Sequence, residues 1–189
     1  MIIIYGGAFN PPTKAHYLIA QELINRFNPD TFYFLPVGEK YNKDGMASYL
    51  DRFNMINIVA SKLSNCLVST KENETKFRGT YYVLKEFSTI DNDLYFVMGA
   101  DNFDYLDDWI MADKLIKEFK FIILTREGFD VDKLIKEKYY EHKDNFVIIN
   151  IDLPISSTNF RDTKNNEILL DEVYEYIKIN NLYEVNADV

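Results

Sequence analysis

Residues 2–27 confine the chain to a narrow set of folds. Ile2-Ile3-Ile4-Tyr5 is a continuous β-branched and aromatic run, the pattern of a strand buried on both faces and therefore of a parallel sheet. Gly6-Gly7-Ala8-Phe9-Asn10-Pro11-Pro12-Thr13-Lys14-Ala15 follows at once, and an amphipathic helix is expected from His16 onward through Tyr17, Leu18, Ile19, Ala20, Leu23 and Ile24. Two glycines behind a buried strand let the backbone turn sharply and approach a ligand closely. The helix start beyond them offers unpaired N–H groups and a positive dipole end, which together suit an anion. A Gly-Gly pair alone would do no more than shape a turn. Neither common phosphate fingerprint, G-x-G-x-x-G or G-x-x-x-x-G-K-[ST], is present.

The same strand-then-helix alternation continues. Apolar runs predict strands at Thr31 to Pro36, Leu67-Val68, Leu94 to Met98, Phe121 to Leu124 and Phe146 to Ile149. Helical spacing of apolar residues appears over 50–63, 80–87, 110–118, 131–139 and 168–180. Residues 37–48 lack periodicity and read as a mobile loop. Six apolar strands joined by helical crossovers predict an α/β fold, a doubly wound parallel sheet covered on both faces. With 189 residues one domain is the default, its C-terminal helical portion spanning about 156–183. Ligands in such sheets sit outside the carboxyl ends of the strands. The Gly6-Gly7 turn, Gly99-Ala100-Asp101 after the fourth strand and Ser156-Ser157-Thr158 after the sixth all fall there.

Charge and composition narrow the partners. Twenty-one Lys and Arg against 30 Asp and Glu leave a net charge of −9, which argues against nucleic acid as a partner, since phosphate-backbone binding needs a basic face. One cysteine, Cys66, excludes an intrachain disulfide and a cysteine metal cage; it reads as a buried apolar residue. No signal peptide is legible, and no apolar stretch is long enough to span a bilayer. A cytoplasmic protein with no membrane partner is expected. Oligomeric state is left open, a homodimer included.

A second motif changes the weight of the first. Ile155-Ser156-Ser157-Thr158-Asn159-Phe160-Arg161, taken with Thr13-Lys14-Ala15-His16, resembles the nucleotidyltransferase superfamily, whose first motif ends in His-x-x-His or Thr-x-x-His and whose second is Ile-Ser-Ser-Thr-x-x-Arg. Asp51-Arg52-Phe53-Asn54-Met55, Arg78-Gly79-Thr80-Tyr81, Gly99-Ala100-Asp101-Asn102 with Leu106 and Trp109, and a closing Tyr176-Ile177 with Leu182-Tyr183 extend the likeness over nearly the whole chain. In this order and spacing it resembles the bacterial nicotinate mononucleotide adenylyltransferases, which join ATP and nicotinate mononucleotide into deamido-NAD on a Rossmann-like sheet. Thr13 stands for the family's more frequent first histidine, Ala15 for its glycine and Asn10 for its aspartate.

The resemblance implies direct attack of a mononucleotide phosphate oxygen on the α-phosphorus of ATP, with no protein nucleophile. Catalysis then rests on positioning and charge stabilisation. His16 is expected to donate to the α- or β-phosphate, Thr13 to add a hydroxyl, and Arg161 to serve as the cation. ATP would meet Gly6, Gly7, Ala8, Phe9, Asn10, Gly99, Asp101, Ile155, Ser156, Ser157 and Thr158. Magnesium would arrive on the triphosphate without a protein carboxylate cage. The acceptor would meet Gly7, Arg52, Arg126, Lys40 or Lys43 from the loop, backbone N–H groups of Thr80 and Tyr81, and the ring of Trp109.

Asp101 could equally be a helix N-cap, and Trp109 by itself reads as core. Asp107-Asp108, Asp171-Glu172 and His142 read as solvated surface. Two alternatives stand beside this reading. One is another adenylyl- or cytidylyltransferase of the same fold, for a nicotinamide mononucleotide or pantetheine-phosphate acceptor; the other is a non-catalytic nucleotide-binding protein.

Overall fold

The six expected strands all form and make one sheet: β1 (Ile2–Gly7), β2 (Thr31–Pro36), β3 (Cys66–Val68), β4 (Leu94–Gly99), β5 (Lys120–Thr125) and β6 (Phe146–Asn150). The structure is a computed structural model that describes residues 1–40, 45–74, 78–125, 130–151, 153 and 156–185. Sheet order is β3-β2-β1-β4-β5-β6, and every pairing is parallel. This is a Rossmann-like doubly wound sheet in a single domain. Its strand order reverses between β1 and β4, which opens a crevice at their carboxyl ends.

Strand pleating divides the core in two. Ile2 and Ile4 of β1 pack into one cluster, with Phe96 of β4 and Phe121 of β5. Ile3 and Tyr5 point the other way, with Phe32, Phe34, Val97 and Ile122, as a side-chain period of two requires. The second face is covered by α1 (Lys14–Phe27), α2 (Tyr49–Ala60) and α9 (Asp171–Ile179), through Leu23, Val59 and Ile177 among others. The first face is covered by α4 (Thr80–Ser88), α5 (Ala100–Asp104), α6 (Ala112–Glu118) and α7 (Val131–Lys138), through Leu84, Phe103, Leu115 and Ile135. Two short helices complete the set among the described residues, α3 (Lys71–Glu74) and α8 (Ser157–Thr163).

Helix boundaries differ from the expected ones for local reasons. α1 begins two residues early because Thr13, not a residue beside His16, is its N-cap. α6 starts at Ala112 because Met111 adopts a left-handed conformation, φ 62°. The segment expected as one helix over 168–180 is a 3₁₀ turn at Asn166–Ile168, an extended Leu169 and then α9. α3 and α5 are too short to carry periodicity. Cys66 lies on the edge strand β3, half-buried rather than fully so, and burial still pushes its thiol up to about 12, which keeps it protonated and unreactive. Asp107, expected to be free surface, accepts from Tyr139 Oη at 2.7 Å and pairs with Lys138 at 3.2 Å.

Behind β2 the chain passes so close to α3 that a Cβ on Gly38 would lie 2.3 Å from the Glu72 carbonyl oxygen. Glu72 itself is 9% exposed, and burial pushes its carboxyl from the usual 4.5 up to about 7. The folded chain therefore holds that proton more tightly than the unfolded chain. The associated stability is complete below the unfolded value and is lost as pH rises through the folded one. At about 1.4 kcal/mol per unit, the loss between pH 4.5 and 7 is on the order of 3 kcal/mol. Urea midpoints measured from pH 4.5 to 8 should fall more steeply in the wild type than in Glu72→Gln, which cannot ionise. Parallel curves for the two proteins would show that the Glu72 carboxyl titrates normally.

Candidate active site

The crevice at the sheet reversal is walled by Gly6 and Gly7 at the end of β1, Gly99 and Asp101 at the end of β4, and His16 of α1. Apolar sides come from Phe9, Ile19 and Leu124. Gly6 is required here by packing as much as by any ligand, because a Cβ would stand 2.6 Å from the Phe96 ring. Asp101 sits in the first turn of α5, whose N-cap is Gly99. The capping role for Asp101 is therefore not what the structure shows: its carboxylate folds back over Gly99, with Oδ1 2.3 Å from where a Cβ would be.

His16 is held in one orientation by the turn that precedes it. The Thr13 backbone N–H donates to His16 Nδ1 at 2.9 Å, and Thr13 Oγ1 lies 3.0 Å from the same nitrogen. This is a capping box with histidine in place of the usual Glu or Gln. Nδ1 thus accepts, so in the neutral ring the proton sits on Nε2. The ring is wedged edge-on against Phe9, 5.2 Å between centroids, and beside Tyr5 at 6.1 Å. Thr13 is fully buried. Its hydroxyl is engaged with the histidine and does not line the crevice, so it acts on the site through His16.

Three carbonyls of the β1–α1 turn are taken up by side chains from elsewhere. Arg52 Nη1 of α2 donates to Ala8 O at 3.1 Å, Arg161 Nη1 of α8 to Asn10 O at 2.6 Å, and Ser157 Oγ to Pro11 O at 2.7 Å. The second motif is thereby brought against the first, as the resemblance implies. Its hydroxyls are already in use, however. Ser156 Oγ caps α8 by accepting from Asn159 N at 3.1 Å, Ser157 holds Pro11, and Thr158 Oγ1 accepts from Arg161 Nη2 at 3.0 Å. What α8 presents besides Arg161 is the N–H groups of its first turn ahead of Asn159, whose own N–H is taken by Ser156.

The expected acceptor residues are less uniform. Arg52 is 1% exposed, with Nε on Ala47 O at 3.1 Å and Nη1 on Ala8 O. Burial pulls its guanidinium below the usual value, opposed by Glu39. Such a group shapes the site from beneath rather than meeting a ligand. Asn10 likewise is 4% exposed and spends its side chain on the chain itself. Thr80 and Tyr81 do open α4, where Gly79 adopts φ 97° against Ile110. The Tyr81 side chain turns inward, its hydroxyl donating to Glu118 at 3.2 Å. Trp109 is half-buried and meets Phe96 edge-on at 6.2 Å. Lys40 is exposed. Lys43, Arg126 and Ile155 lie outside the described residues.

Sequence reasoning missed the apolar wall, Ala15, Ile19, Leu124, Ile151 and Leu153, because periodicity cannot separate a crevice lining from core. It also missed the link between the ends of β5 and β6, from Thr125 Oγ1, which lines the crevice, to Asn150 Oδ1. Adjacent strand ends carrying Thr and Asn are the available signal for it.

Residues 4–163 match the model of the cytidylyltransferase-like family. A probable nicotinate-nucleotide adenylyltransferase of Acholeplasma laidlawii is 38% identical, over 97% of this chain and 98% of that protein. A protein of the same description from Clostridium botulinum is 31% identical over 96% of each. In structure, the chain is similar to Plasmodium falciparum nicotinic acid mononucleotide adenylyltransferase complexed with NaAD, with a TM-score of 0.79, 24% identity and coverage of 99% of this chain and 98% of that one. At that identity the last likeness speaks to the fold.

The burial of Arg52 generates a stability prediction. Arg52→Lys keeps a charge but cannot reach both carbonyls, and a buried acceptor left without a partner costs about 1–3 kcal/mol. The urea midpoint should fall by the corresponding amount, whereas Lys40→Ala, at an exposed position, should leave it within about 0.5 kcal/mol of wild type. An Arg52→Lys protein as stable as wild type would return Arg52 to the ligand-contacting group.

Proposed function

The chain belongs to the nicotinate-nucleotide adenylyltransferases of the cytidylyltransferase-like family, and from that premise we propose that it transfers AMP from ATP to nicotinate mononucleotide, forming deamido-NAD and pyrophosphate. The observation that carries this reading is the His16 imidazole at the start of α1, its Nδ1 committed to Thr13 N–H at 2.9 Å and its ring in the wall of the crevice. That arrangement makes Nε2–H a donor aimed by the fold. Donors fixed before reaction stabilise charge that develops in the transition state without reorganising.

The acceptor's phosphate oxygen forms a bond to the α-phosphorus while the bond to the β-phosphate oxygen breaks, and the electron pair leaves with pyrophosphate. No covalent enzyme intermediate is required. His16 donates to the α- or β-phosphate. Arg161, whose guanidinium holds the Asn10 carbonyl of the turn before His16, supplies the cation for the β- or γ-phosphate, and first-turn N–H groups of α8 assist it. Thr13 needs no charge for the part it has, which is to orient His16. The departure from the family's more frequent histidine is therefore compatible with turnover.

Magnesium carried on the triphosphate would neutralise phosphate charge when bound. It needs chiefly phosphate oxygens and water, and Asp101, the carboxylate of the crevice wall among the described residues, is the side chain suited to meet its hydration shell. On the acceptor side, the first-turn N–H groups of α4 suit a carboxylate, and the Trp109 ring suits a pyridine face.

Pyrophosphate release with ATP and a panel of acceptors tests the reading directly. N–H donors leave an amide's NH₂ facing another donor, and an unmet buried donor costs about 1–3 kcal/mol, or one to two powers of ten. The ratio of kcat/KM for nicotinate over nicotinamide mononucleotide should therefore exceed about ten. A ratio near one, or turnover with a cytidylyl donor instead, would overturn the assignment of the acceptor or of the donor respectively. His16→Ala should lower kcat by about a hundredfold or more with a far smaller change in KM for ATP. Weakened ATP binding with turnover intact would remove His16 from the catalytic role.

A further inference from the structure

We propose that Tyr183 is a positioning residue for this reaction: through Asn10 it fixes Arg161 on one side of the active site and the segment 45–47 on the other. The inference rests on the adenylyl-transfer reading and assigns Tyr183 no contact with substrate.

Asn10 is the centre of the arrangement. It lies in the turn between β1 and α1, 4% exposed, and each polar group it offers beyond its own amide is engaged by a different part of the chain. Its backbone oxygen accepts from Arg161 Nη1 at 2.6 Å. Its Oδ1 accepts from Ala47 N at 3.0 Å and from Tyr183 Oη at 2.7 Å, while Nδ2 donates to Gly45 O at 3.3 Å. Ala47 is in turn held by Arg52 Nε at 3.1 Å. Arg161, on the backbone oxygen, and the segment 45–47, on the side chain, therefore meet on one residue.

Tyr183 reaches this residue from 173 positions away in the sequence and also packs on the residue next to Arg161. Its hydroxyl lies on Asn10. Its ring lies edge-on to Phe160, 5.9 Å between centroids, and Phe160 is the fully buried residue immediately before Arg161 in α8. A tyrosine so placed sets the distance between the turn and α8 from outside the crevice. Burial holds the phenol well above its usual value, so the hydroxyl remains a donor.

The backbone supports the same assignment. Asn181, Tyr183 and Glu184 all have positive φ, 49°, 55° and 60°, in a region that side chains other than Gly and Asn rarely enter. A bulky aromatic residue persists there only where surrounding contacts over-determine it. Here those contacts are the Asn10 hydrogen bond and the Phe160 ring.

Tyr183→Phe removes only the hydroxyl and keeps the ring on Phe160. Steady-state pyrophosphate release should show kcat/KM for ATP lowered about tenfold, the scale expected when a catalytic group is slightly misplaced. In an Arg161→Gln background the same change should lower it less than about twofold, because the residue that Tyr183 positions is already gone. Equal losses in the two backgrounds, or no loss in the wild type, would overturn the proposal. A purely structural tyrosine would shift the urea midpoint alone. Should the wild type release no pyrophosphate with ATP and nicotinate mononucleotide, the functional reading fails separately. The coupling of Tyr183 to Arg161 is then read by calorimetric affinity for α,β-methylene-ATP in the wild type, the two single variants and the double variant, with non-additivity expected and additivity overturning it.

Discussion

Everything at the crevice depends on a short turn that cannot satisfy its own carbonyls. Between β1 and α1 the chain runs through Phe9-Asn10-Pro11-Pro12, where two prolines have no N–H to give and no regular structure forms. A buried carbonyl without a donor is costly. The fold supplies donors from two distant helices, Arg52 on α2 and Arg161 with Ser157 on α8. Those bonds fix the turn that positions Thr13, and Thr13 fixes His16. The orientation of one imidazole is thus decided in part by Arg161, 151 positions from the carbonyl it holds, because the bonds that hold its turn come from there.

The same economy explains why two arginines in the motifs play different parts. Arg52 is sealed beneath the turn with its guanidinium on two carbonyls, while Arg161 is half-buried with one arm on Asn10 and the other on Thr158. Burial decides between them. A guanidinium at 1% exposure cannot exchange its partners for a phosphate without leaving carbonyls unmet. A half-buried one, bonded to a neutral carbonyl and a hydroxyl, has anions as stronger partners than those it holds.

Glycine and acid positions show a similar division between packing and chemistry. Gly6 is required by the Phe96 ring and Gly79 by Ile110 and its positive φ, so part of the glycine pattern that reads as ligand approach is sheet and helix packing. The chain's net charge of −9 is compatible with a triphosphate site because the crevice wall itself offers one carboxylate among the described residues, Asp101, beside two helix starts.

The sequence alone was enough for the sheet and for the identity of the two motifs. Runs such as Ile2-Ile3-Ile4-Tyr5 and Phe121 to Leu124 are unbroken because both faces of a parallel sheet are buried, and that pattern is local. The pairing of Thr13-Lys14-Ala15-His16 with Ser156 to Arg161 was legible for the same reason, as short contiguous strings. What each motif residue does was not legible. Thr13 and Ser157 carry hydroxyls that a string can only assign to a ligand, yet in the fold one holds His16 and the other Pro11 O. Arg52 and Asn10 read as ligand contacts, yet in the fold both are buried and bonded to the chain itself, and Tyr183 read as a closing residue until its hydroxyl met Asn10. Hydrogen-bond partners and burial are properties of pairs of residues far apart in sequence; only the tertiary structure sets which donors arrive at which acceptors, and so which polar groups remain to act on a ligand.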